Sequence, residues 1–293
     1  PLRLVGSEMC IRDRISTDVN TAIQGMSSKY DAGNARWYSG KWEPNMPLSG
    51  VDGNGYGTIE KEISNARATA GGKTPVVITE CGYHNGILVT LGHLPVREDT
   101  ASLYMPDVFT RPYSQGARVV TNYQITDFIT QDGRTQTDKS IDQENFGYLR
   151  YGAKEVKPAG ITMARFNAKL RDDAAPPTMV AIPAHTISGV NSPVKYNFQK
   201  SNGQYIISIK DGRRAVDVDT EKWSNGTQVS PFNPNALLIY PEMTGNIKFD
   251  NKNWGKVECY NVHLDTTTEL TKKSDGSYDF PVSQKTTLLI FTP

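Results

Sequence analysis

The stretch that decides the fold is Thr74-Pro-Val-Val-Ile-Thr-Glu-Cys-Gly-Tyr-His84. Residues 75–78 are apolar and mostly β-branched, and glycines stand on both sides of the run. A short apolar run bounded by glycines predicts a strand buried on both faces, which is typical of a parallel sheet flanked by helices. The run ends on Glu80. A carboxylate at the end of a buried strand is costly unless another group pairs with it or uses it.

This stretch resembles the seventh strand of the clan A glycoside hydrolases, which are retaining enzymes built on an eightfold β/α barrel. In that clan a strand of the pattern P-hydrophobic-hydrophobic-hydrophobic-T-E-x-G-Y carries the nucleophilic glutamate, and Glu80 is the residue at that position here. Catalytic groups of such barrels lie at the carboxyl ends of the strands. The resemblance therefore implies that Glu80 is the catalytic nucleophile. The alternative is a structural role, in which Glu80 caps the next helix or pairs with a nearby arginine.

Other segments match the same family in the order of its last barrel strands. Asn34-Ala-Arg-Trp-Tyr38 is similar to the end of the sixth strand, N-x-H-x-Y, with Arg36 where histidine is usual. Residues 117–127 are similar to the eighth strand, and Asn145-Phe-Gly-Tyr-Leu-Arg150 and Lys157-Pro-Ala-Gly160 to the segments that follow it. Helical patterns over residues 58–70 and 96–113 separate the strands. Alternating strands and helices predict an α/β fold with a parallel sheet.

The resemblance also implies a sugar-binding site around Glu80. A pyranose presents a C–H face that packs on aromatic rings, so aromatic residues near the strand ends are candidates. The alternative for each ring is burial in the wall of the barrel. The candidate substrate-binding residues are Trp37, Tyr38, Tyr83, His84, Tyr123 and Gln124.

The rest of the chain divides into further regions. A complete barrel takes about 250 residues, so we expect residues 15–173 to form an incomplete TIM barrel with about strands six to eight only. Residues 174–177, Ala-Ala-Pro-Pro, predict a linker. Residues 178–293 carry alternating runs, with a hairpin signal at Ser201-Asn-Gly203. They predict an antiparallel β-sandwich, similar to the C-terminal sandwich of many clan A enzymes, and we expect it to fold without the barrel.

The first residues are expected to be foreign to the fold. Val5-Gly-Ser-Glu-Met-Cys-Ile-Arg-Asp13 resembles the in-frame translation of a transposase adapter used to prepare DNA sequencing libraries. We therefore treat residues 1–14 as a non-native tail and expect them to pack on nothing. On this interpretation the native protein was cut upstream, so the first five barrel strands are missing. A short natural amphipathic start is the alternative.

Composition and cysteine content exclude several other classes of function. The net charge of +1 and the absence of a basic cluster give no electrostatic case for nucleic acid. No apolar segment is long enough to span a membrane, and neither zinc spacing nor a phosphate-binding glycine loop occurs. We therefore expect no metal, no cofactor and no membrane partner. Cys81 and Cys259 lie in different candidate domains, and Cys10 lies in the tail, so no disulfide framework is expected.

The sequence thus supports several hypotheses about function. The first is a retaining glycosidase acting on an oligosaccharide, a polysaccharide or a glycoside, in which Glu80 forms a glycosyl-enzyme intermediate. No residue of this chain is a candidate for the acid/base, so the fragment itself is expected to be inactive, and its parent to be secreted or periplasmic. The second is a non-catalytic carbohydrate-binding or scaffold protein that kept the barrel. The third, a nucleophilic pair of Cys81 and His84, lacks the positive surroundings that a thiolate needs.

Overall fold

The computed structural model describes most of the chain in two compact units. Described residues up to Lys157 belong to the first unit, and those from Pro158 onward belong to the second. The described residues are 4–6, 32–39, 43–44, 58–72, 75–85, 96–127, 145–150, 155–174, 178–179, 183–213, 216–217, 237–238 and 240–293.

The described part of the first unit contains a four-stranded parallel sheet and two helices that connect its strands. The strands lie in the sequential order β1-β2-β3-β4, and each pairs in parallel with the next. The elements are β1 (Leu4–Gly6), β2 (Ala32–Trp37), α1 (Ile59–Thr69), β3 (Val76–Cys81), α2 (Glu98–Ser114) and β4 (Ala117–Asn122).

Strand β3 is the buried strand that the apolar run predicts. Val76 and Ile78 are fully buried and Val77 nearly so, which leaves only Thr79 and Glu80 partly exposed. Both predicted helices are confirmed, and Thr58 caps the first of them by accepting a hydrogen bond from the Lys61 amide at 3.3 Å. Helix α1 packs tightly on β2, because a Cβ at Gly33 would lie 2.5 Å from the carbonyl oxygen of Ala66.

Strand β1 corrects the prediction for the start of the chain. Leu4, Val5 and Gly6 pair in parallel with Ala32, Gly33 and Asn34 of β2. The expectation that residues 1–14 pack on nothing is therefore wrong for these three residues, whose backbone extends the sheet. The other residues of the predicted tail, including Cys10, lie outside the described residues.

The second unit begins with helix α3 (Pro158–Leu170), and the regular elements described after it are strands. The described strands form three antiparallel sheets: β13-β12-β15-β8-β7-β5, β14-β11-β6 and β10-β9. The predicted hairpin is confirmed, with β7 and β8 joined through a turn in which Gly203 has a φ of +82°. The strands are β5 (Thr178–Met179), β6 (His185–Ser188), β7 (Val194–Gln199), β8 (Tyr205–Lys210), β9 (Val216–Asp217), β10 (Leu237–Leu238), β11 (Met243–Phe249), β12 (Lys256–Asn261), β13 (Thr266–Glu269), β14 (Tyr278–Val282) and β15 (Thr287–Thr292).

The six-stranded and three-stranded sheets share one apolar core, as in a β-sandwich. Alternate residues of β8, β11, β12, β14 and β15 lie in it, which is the period expected of strands with one face on a core. The core residues include Ile207, Ile209, Val257, Cys259, Leu289 and Phe291 from the larger sheet, and Ile247, Phe249, Phe280 and Val282 from the smaller one. Cys259 is a free thiol, so no disulfide stabilises this core.

The six-stranded sheet also has a row of buried residues on its other face. Cross-strand pairing puts Tyr196, Ser208, Leu288 and Tyr260 in one row of that face, and all four are buried. Helix α3 reaches this row, because Lys169 Nζ lies 4.3 Å from the centre of the Tyr260 ring.

Residues 175–177 of the predicted linker lie outside the described residues. No described helix is both long and apolar enough to cross a membrane.

Candidate active site

The Glu80 side chain lies near the carboxyl end of β3 and is held by two donors, one in β2 and one in the residue just after it. The Tyr38 hydroxyl donates a hydrogen bond to Oε2 at 3.1 Å. The Arg36 guanidinium forms an ion pair with Oε1, with Nη2 at 3.4 Å. Each oxygen of the carboxylate thus has its own donor. Since the Glu80 side chain is still 22% exposed, the carboxylate is fixed in orientation while remaining open to solvent.

The backbone beneath Glu80 is fixed by polar contacts to both neighbouring strands. On the β2 side, the Thr79 hydroxyl donates to Asn34 Oδ1 at 2.8 Å. On the β4 side, the Thr121 hydroxyl contacts the carbonyl oxygens of Ile78 at 3.1 Å and Thr79 at 2.6 Å. Because β2, β3 and β4 are parallel, their carboxyl ends lie side by side. The side-chain hydrogen bonds fix the register of the three strands at Glu80.

Gly82 allows β3 and β4 to approach each other just after Glu80. Its φ is +151°, and a Cβ there would lie 2.7 Å from the Tyr123 carbonyl oxygen and 2.8 Å from Asn122 Oδ1. The Tyr123 amide donates to the Cys81 carbonyl at 2.8 Å, and the Tyr123–Gln124 peptide bond is cis. The glycine of the sequence motif is therefore required by the close approach of the two strand ends.

Phe146 lies at the centre of an aromatic cluster beside Glu80. The centroid of its ring is 5.4 Å from that of Tyr38, 5.6 Å from Tyr123 and 5.1 Å from His84. The contacts with Tyr38 and Tyr123 are edge-to-face, a favourable arrangement for aromatic pairs. Phe146 lies 66 residues after Glu80 in the chain, and the sequence analysis did not assign it a role.

The six predicted sugar-binding residues differ in how exposed their side chains are to solvent. Tyr123 and Gln124 are partly exposed, whereas Tyr38 is buried with its hydroxyl on Glu80. Tyr83 and His84 are also buried, with Tyr83 against Ser39 and Tyr104. Trp37 is only 1% exposed, so it presents no ring face to a ligand and the structure does not support it as a stacking platform.

Burial and the charge of Glu80 keep the neighbouring tyrosine and cysteine side chains neutral. Burial, and then the Glu80 charge, raise the pKa of Tyr38 far above its usual range. The same two causes raise the pKa of the Cys81 thiol and of Tyr123. Cys81 is fully buried and its Sγ lies 3.2 Å from the Thr121 carbonyl oxygen. A thiol in these surroundings stays protonated, which argues against a nucleophilic pair of Cys81 and His84.

A buried lysine ties together the segments that follow β3 and β4. Lys157 Nζ donates to Asp127 Oδ1 at 2.8 Å, to the Asn145 carbonyl at 3.2 Å and to Asn85 Oδ1 at 3.3 Å. Asp127 Oδ1 also accepts from the Gly147 amide at 2.8 Å. Burial raises the pKa of Asp127 and lowers that of Lys157, and the ion pair opposes both shifts. The sequence motifs around these residues thus meet in one place.

The buried Tyr83 side chain has polar neighbours of its own. The Ser39 hydroxyl hydrogen-bonds the Tyr83 hydroxyl. Burial raises the pKa of Tyr83 well above its usual value, and Tyr104, Glu43 and Asp107 raise it further. Glu43 therefore lies within electrostatic reach of Tyr83.

In the part of the chain that the structure describes, no group of three or more His, Cys, Asp or Glu side chains is placed to hold a metal ion.

Solved structures with similar folds share little sequence with this chain. A GH51 arabinofuranosidase from Xanthomonas axonopodis pv. citri aligns over 99% of this chain and 57% of its own, with a TM-score of 0.52 and 10% identity. The chain has a glycoside-hydrolase-like fold. A Family 44 endoglucanase from Clostridium acetobutylium ATCC 824 aligns over 97% of this chain and 52% of its own, with a TM-score of 0.46 and 12% identity. A bifunctional glucanase-xylanase from a metagenome library gives a TM-score of 0.38 at 12% identity.

These similarities concern the fold and not the activity. The chain spans little more than half the length of the first two structures, 57% and 52%. No protein-family model matches the chain, and comparison with curated proteins gives no match. The assignment of a reaction therefore depends on the geometry around Glu80.

Proposed function

We propose that Glu80 is the nucleophile of a retaining glycoside hydrolase that acts on an oligosaccharide, a polysaccharide or a glycoside. The observation that carries this proposal is the position of the Glu80 carboxylate and the way it is held. It stands at the carboxyl end of β3, partly exposed, with Tyr38 on one oxygen and Arg36 on the other. A nucleophile of this kind must be ionised, oriented and accessible, and this arrangement supplies donors for both oxygens without covering them.

The order of the strands supports a barrel as the parent architecture. Strands β1 to β4 pair in the order in which they occur in the chain, and all are parallel. In doubly wound sheets the order reverses at a switch point, whereas a β/α barrel keeps neighbouring strands consecutive. We therefore infer that the first unit is part of a TIM barrel, and that Glu80 faces its catalytic end.

The proposed reaction takes place in two displacements. Glu80 attacks the anomeric carbon, and a carboxylic acid about 5–5.5 Å away protonates the leaving oxygen and later activates water. We assign this acid/base to no residue of the present chain, so activity is expected of the complete protein that contains it. The partly exposed Tyr123 and Gln124, which follow β4, are the residues that we expect to line the sugar-binding site.

Glu80→Gln tests the proposal in that complete protein. An amide cannot form or leave as a glycosyl ester, so we expect turnover to fall by at least about 10³. A fluorosugar that traps the intermediate should add its mass to the peptide containing Glu80. Glu60→Gln is the matched control, because Glu60 lies on α1 and pairs with Arg111 at 2.9 Å. That variant should keep full activity.

Two results would contradict the proposal. If the fluorosugar labelled another carboxylate, the nucleophile would lie elsewhere. If the complete protein bound sugars, without hydrolysing any and without being labelled, the non-catalytic carbohydrate-binding function would replace the enzymatic one.

A further inference from the structure

The two donors that hold Glu80 differ in charge, although they come from the same strand. Arg36 and Tyr38 are two residues apart on β2 and its continuation, so their side chains point to the same side. Tyr38 donates to Oε2 at 3.1 Å, and Arg36 Nη2 lies 3.4 Å from Oε1. A neutral hydroxyl and a permanent cation respond differently when the charge on the carboxylate changes.

In the described part of the chain, Arg36 brings a positive charge to Glu80, whereas the neighbouring tyrosine and cysteine side chains are neutral. Three described groups on β3 or just after β2 and β4 feel the Glu80 charge, and each has a raised pKa: Tyr38, Cys81 and Tyr123. The Arg36 and Glu80 side chains are 23% and 22% exposed. Water therefore screens this ion pair only in part, and the attraction between the two charges is larger than for a fully exposed pair.

We propose that Arg36 is a positioning residue that acts through Glu80 and accelerates the breakdown of the glycosyl-enzyme intermediate. The guanidinium stabilises the free carboxylate relative to the glycosyl ester. This inference rests on the proposed function, because it assumes that Glu80 forms that ester.

The charges in the two steps explain this effect. In the first step a Glu80 oxygen bonds to the anomeric carbon, the glycosidic C–O bond breaks, and its electron pair leaves with the departing oxygen, which takes a proton from a carboxylic acid. Glu80 is then an uncharged ester, and the ion pair with Arg36 is lost. In the second step a water oxygen bonds to the anomeric carbon and gives a proton to the general base. The electron pair of the ester C–O bond returns to Glu80, and the ion pair with Arg36 forms again.

Arg36 therefore has opposite effects on the two steps. It makes the carboxylate a weaker nucleophile in the first step and a better leaving group in the second. Removing the cation should make the intermediate accumulate. Tyr38 acts differently, because a neutral donor can also hydrogen-bond the carbonyl oxygen of the ester.

The experiment uses Arg36→Gln in the complete protein, with trapping of the intermediate by a fluorosugar. We expect the adduct on Glu80 to form at least as fast as in the unchanged protein, and to be released about five times more slowly or slower still. With an ordinary substrate, kcat and KM should fall together. Arg36→Lys keeps the charge and should restore most of the release rate.

Arg118→Gln is the matched control, since Arg118 is exposed on the neighbouring strand β4. It removes the same charge and should leave both steps unchanged. An equal slowing of formation and release in Arg36→Gln, or a failure of Arg36→Lys to restore release, would overturn the inference in favour of a purely structural role. If Arg36→Gln fails to fold, Arg36→Lys still tests the inference, because it should resemble the unchanged protein in both steps. No labelling of Glu80 in the unchanged protein would instead reject the proposed function.

Discussion

At the scale of single residues, His263 shows how burial sets the charge of a side chain. Its Nε2 atom is inaccessible to solvent and has no hydrogen-bond partner in the described part of the chain. Burial lowers the pKa of His263 to about 3, and the positive charges of Lys285, Lys210 and Arg165 act in the same direction. The ring is therefore neutral in the folded protein at neutral pH.

This neutral histidine predicts that acid destabilises the second unit. An unfolded histidine has a pKa of about 6.5, so the folded state binds fewer protons over the interval down to about 3. Its contribution to stability is complete above pH 6.5 and is lost as the pH falls, by up to about 1.4 kcal/mol per pH unit. His263→Phe removes this titration. We expect the free energy of unfolding, measured by urea titration between pH 6 and 4, to depend less steeply on pH in that variant.

His185→Phe provides the comparison for that measurement. Burial also lowers the pKa of His185, but its ring is in hydrogen-bond contact with the Pro183 carbonyl at 2.9 Å, which opposes the shift. The variant should change the pH dependence less than His263→Phe. If the free energy of unfolding depended on pH identically in His263→Phe and in the unchanged chain, the pKa of His263 would not differ between the folded and unfolded states.

At the scale of secondary-structure elements, one buried ion pair connects the loops around the candidate site. Lys157, just before α3, contacts Asp127 after β4, Asn85 after β3 and Asn145. Lys157 is 2% exposed and Asp127 is 6% exposed. A buried pair contributes little compared with an apolar pair, but breaking it leaves one charge without compensation.

Lys157→Met tests this connection. We expect the variant to lose about 3–5 kcal/mol of unfolding free energy at pH 7, because Asp127 would remain buried and charged. The pKa of Asp127 is already raised by burial. A carboxyl whose folded pKa is raised favours the protonated folded state, so the stability lost in Lys157→Met should return as the pH falls.

The double variant Lys157→Met/Asp127→Asn separates charge from packing. It removes the buried negative charge while keeping an oxygen that can accept from the Gly147 amide. Urea unfolding should show that it is more stable than Lys157→Met alone at pH 7. If the double variant were less stable than the single one, the loss would come from packing rather than from the carboxylate.

Elements with a strong local pattern could be predicted from the sequence, whereas contacts between distant segments could not. The apolar run predicts β3 because burial on both faces leaves a continuous pattern, and the helical pattern over residues 58–70 predicts α1. The candidate site residue Glu80 could be singled out from its place at the strand end and from the resemblance of its stretch to the seventh strand of clan A enzymes. The ring of Phe146 between Tyr38 and Tyr123 has no such signal, because it depends on how distant loops return to the sheet. The pairing of Arg36 with Glu80 likewise depends on the register of β2 and β3.

At the scale of the whole molecule, helix α3 belongs to the compact unit formed by the sheets that follow it. Arg165 Nη1 donates to the His263 carbonyl at 2.8 Å, and the Lys169 carbonyl accepts from Lys200 Nζ at 3.0 Å. Asp172, just after the helix, accepts from the Ser201 hydroxyl at 2.7 Å. These contacts, with Lys169 over Tyr260, connect α3 and the residues just after it to β12, to His263 beyond β12 and to the turn between β7 and β8.

This arrangement gives a sharper prediction than the sequence alone for where the second domain begins. Sequence composition puts the boundary at residues 174–177, whereas the compact unit starts at Pro158. Without α3, the row of Tyr196, Ser208, Leu288 and Tyr260 would lose a partner that contacts it. We therefore expect a chain of residues 158–293 to unfold cooperatively, with a Tm at least about 5 °C above that of residues 177–293. Calorimetry on the two purified chains measures the difference.

Variants of the longer chain show whether the helix contacts cause that difference. Arg165→Ala and Lys169→Ala together remove the hydrogen bond to His263 and the cation over Tyr260, so the Tm should fall toward that of residues 177–293. Arg171→Ala is the control, because this side chain is 77% exposed and pairs only with the equally exposed Asp173 among the contacts described for it. Its Tm should stay within about 1 °C of the longer chain. Equal Tm values for residues 158–293 and 177–293 would mean that the sheets are stable without α3, and the boundary at residues 174–177 would then stand.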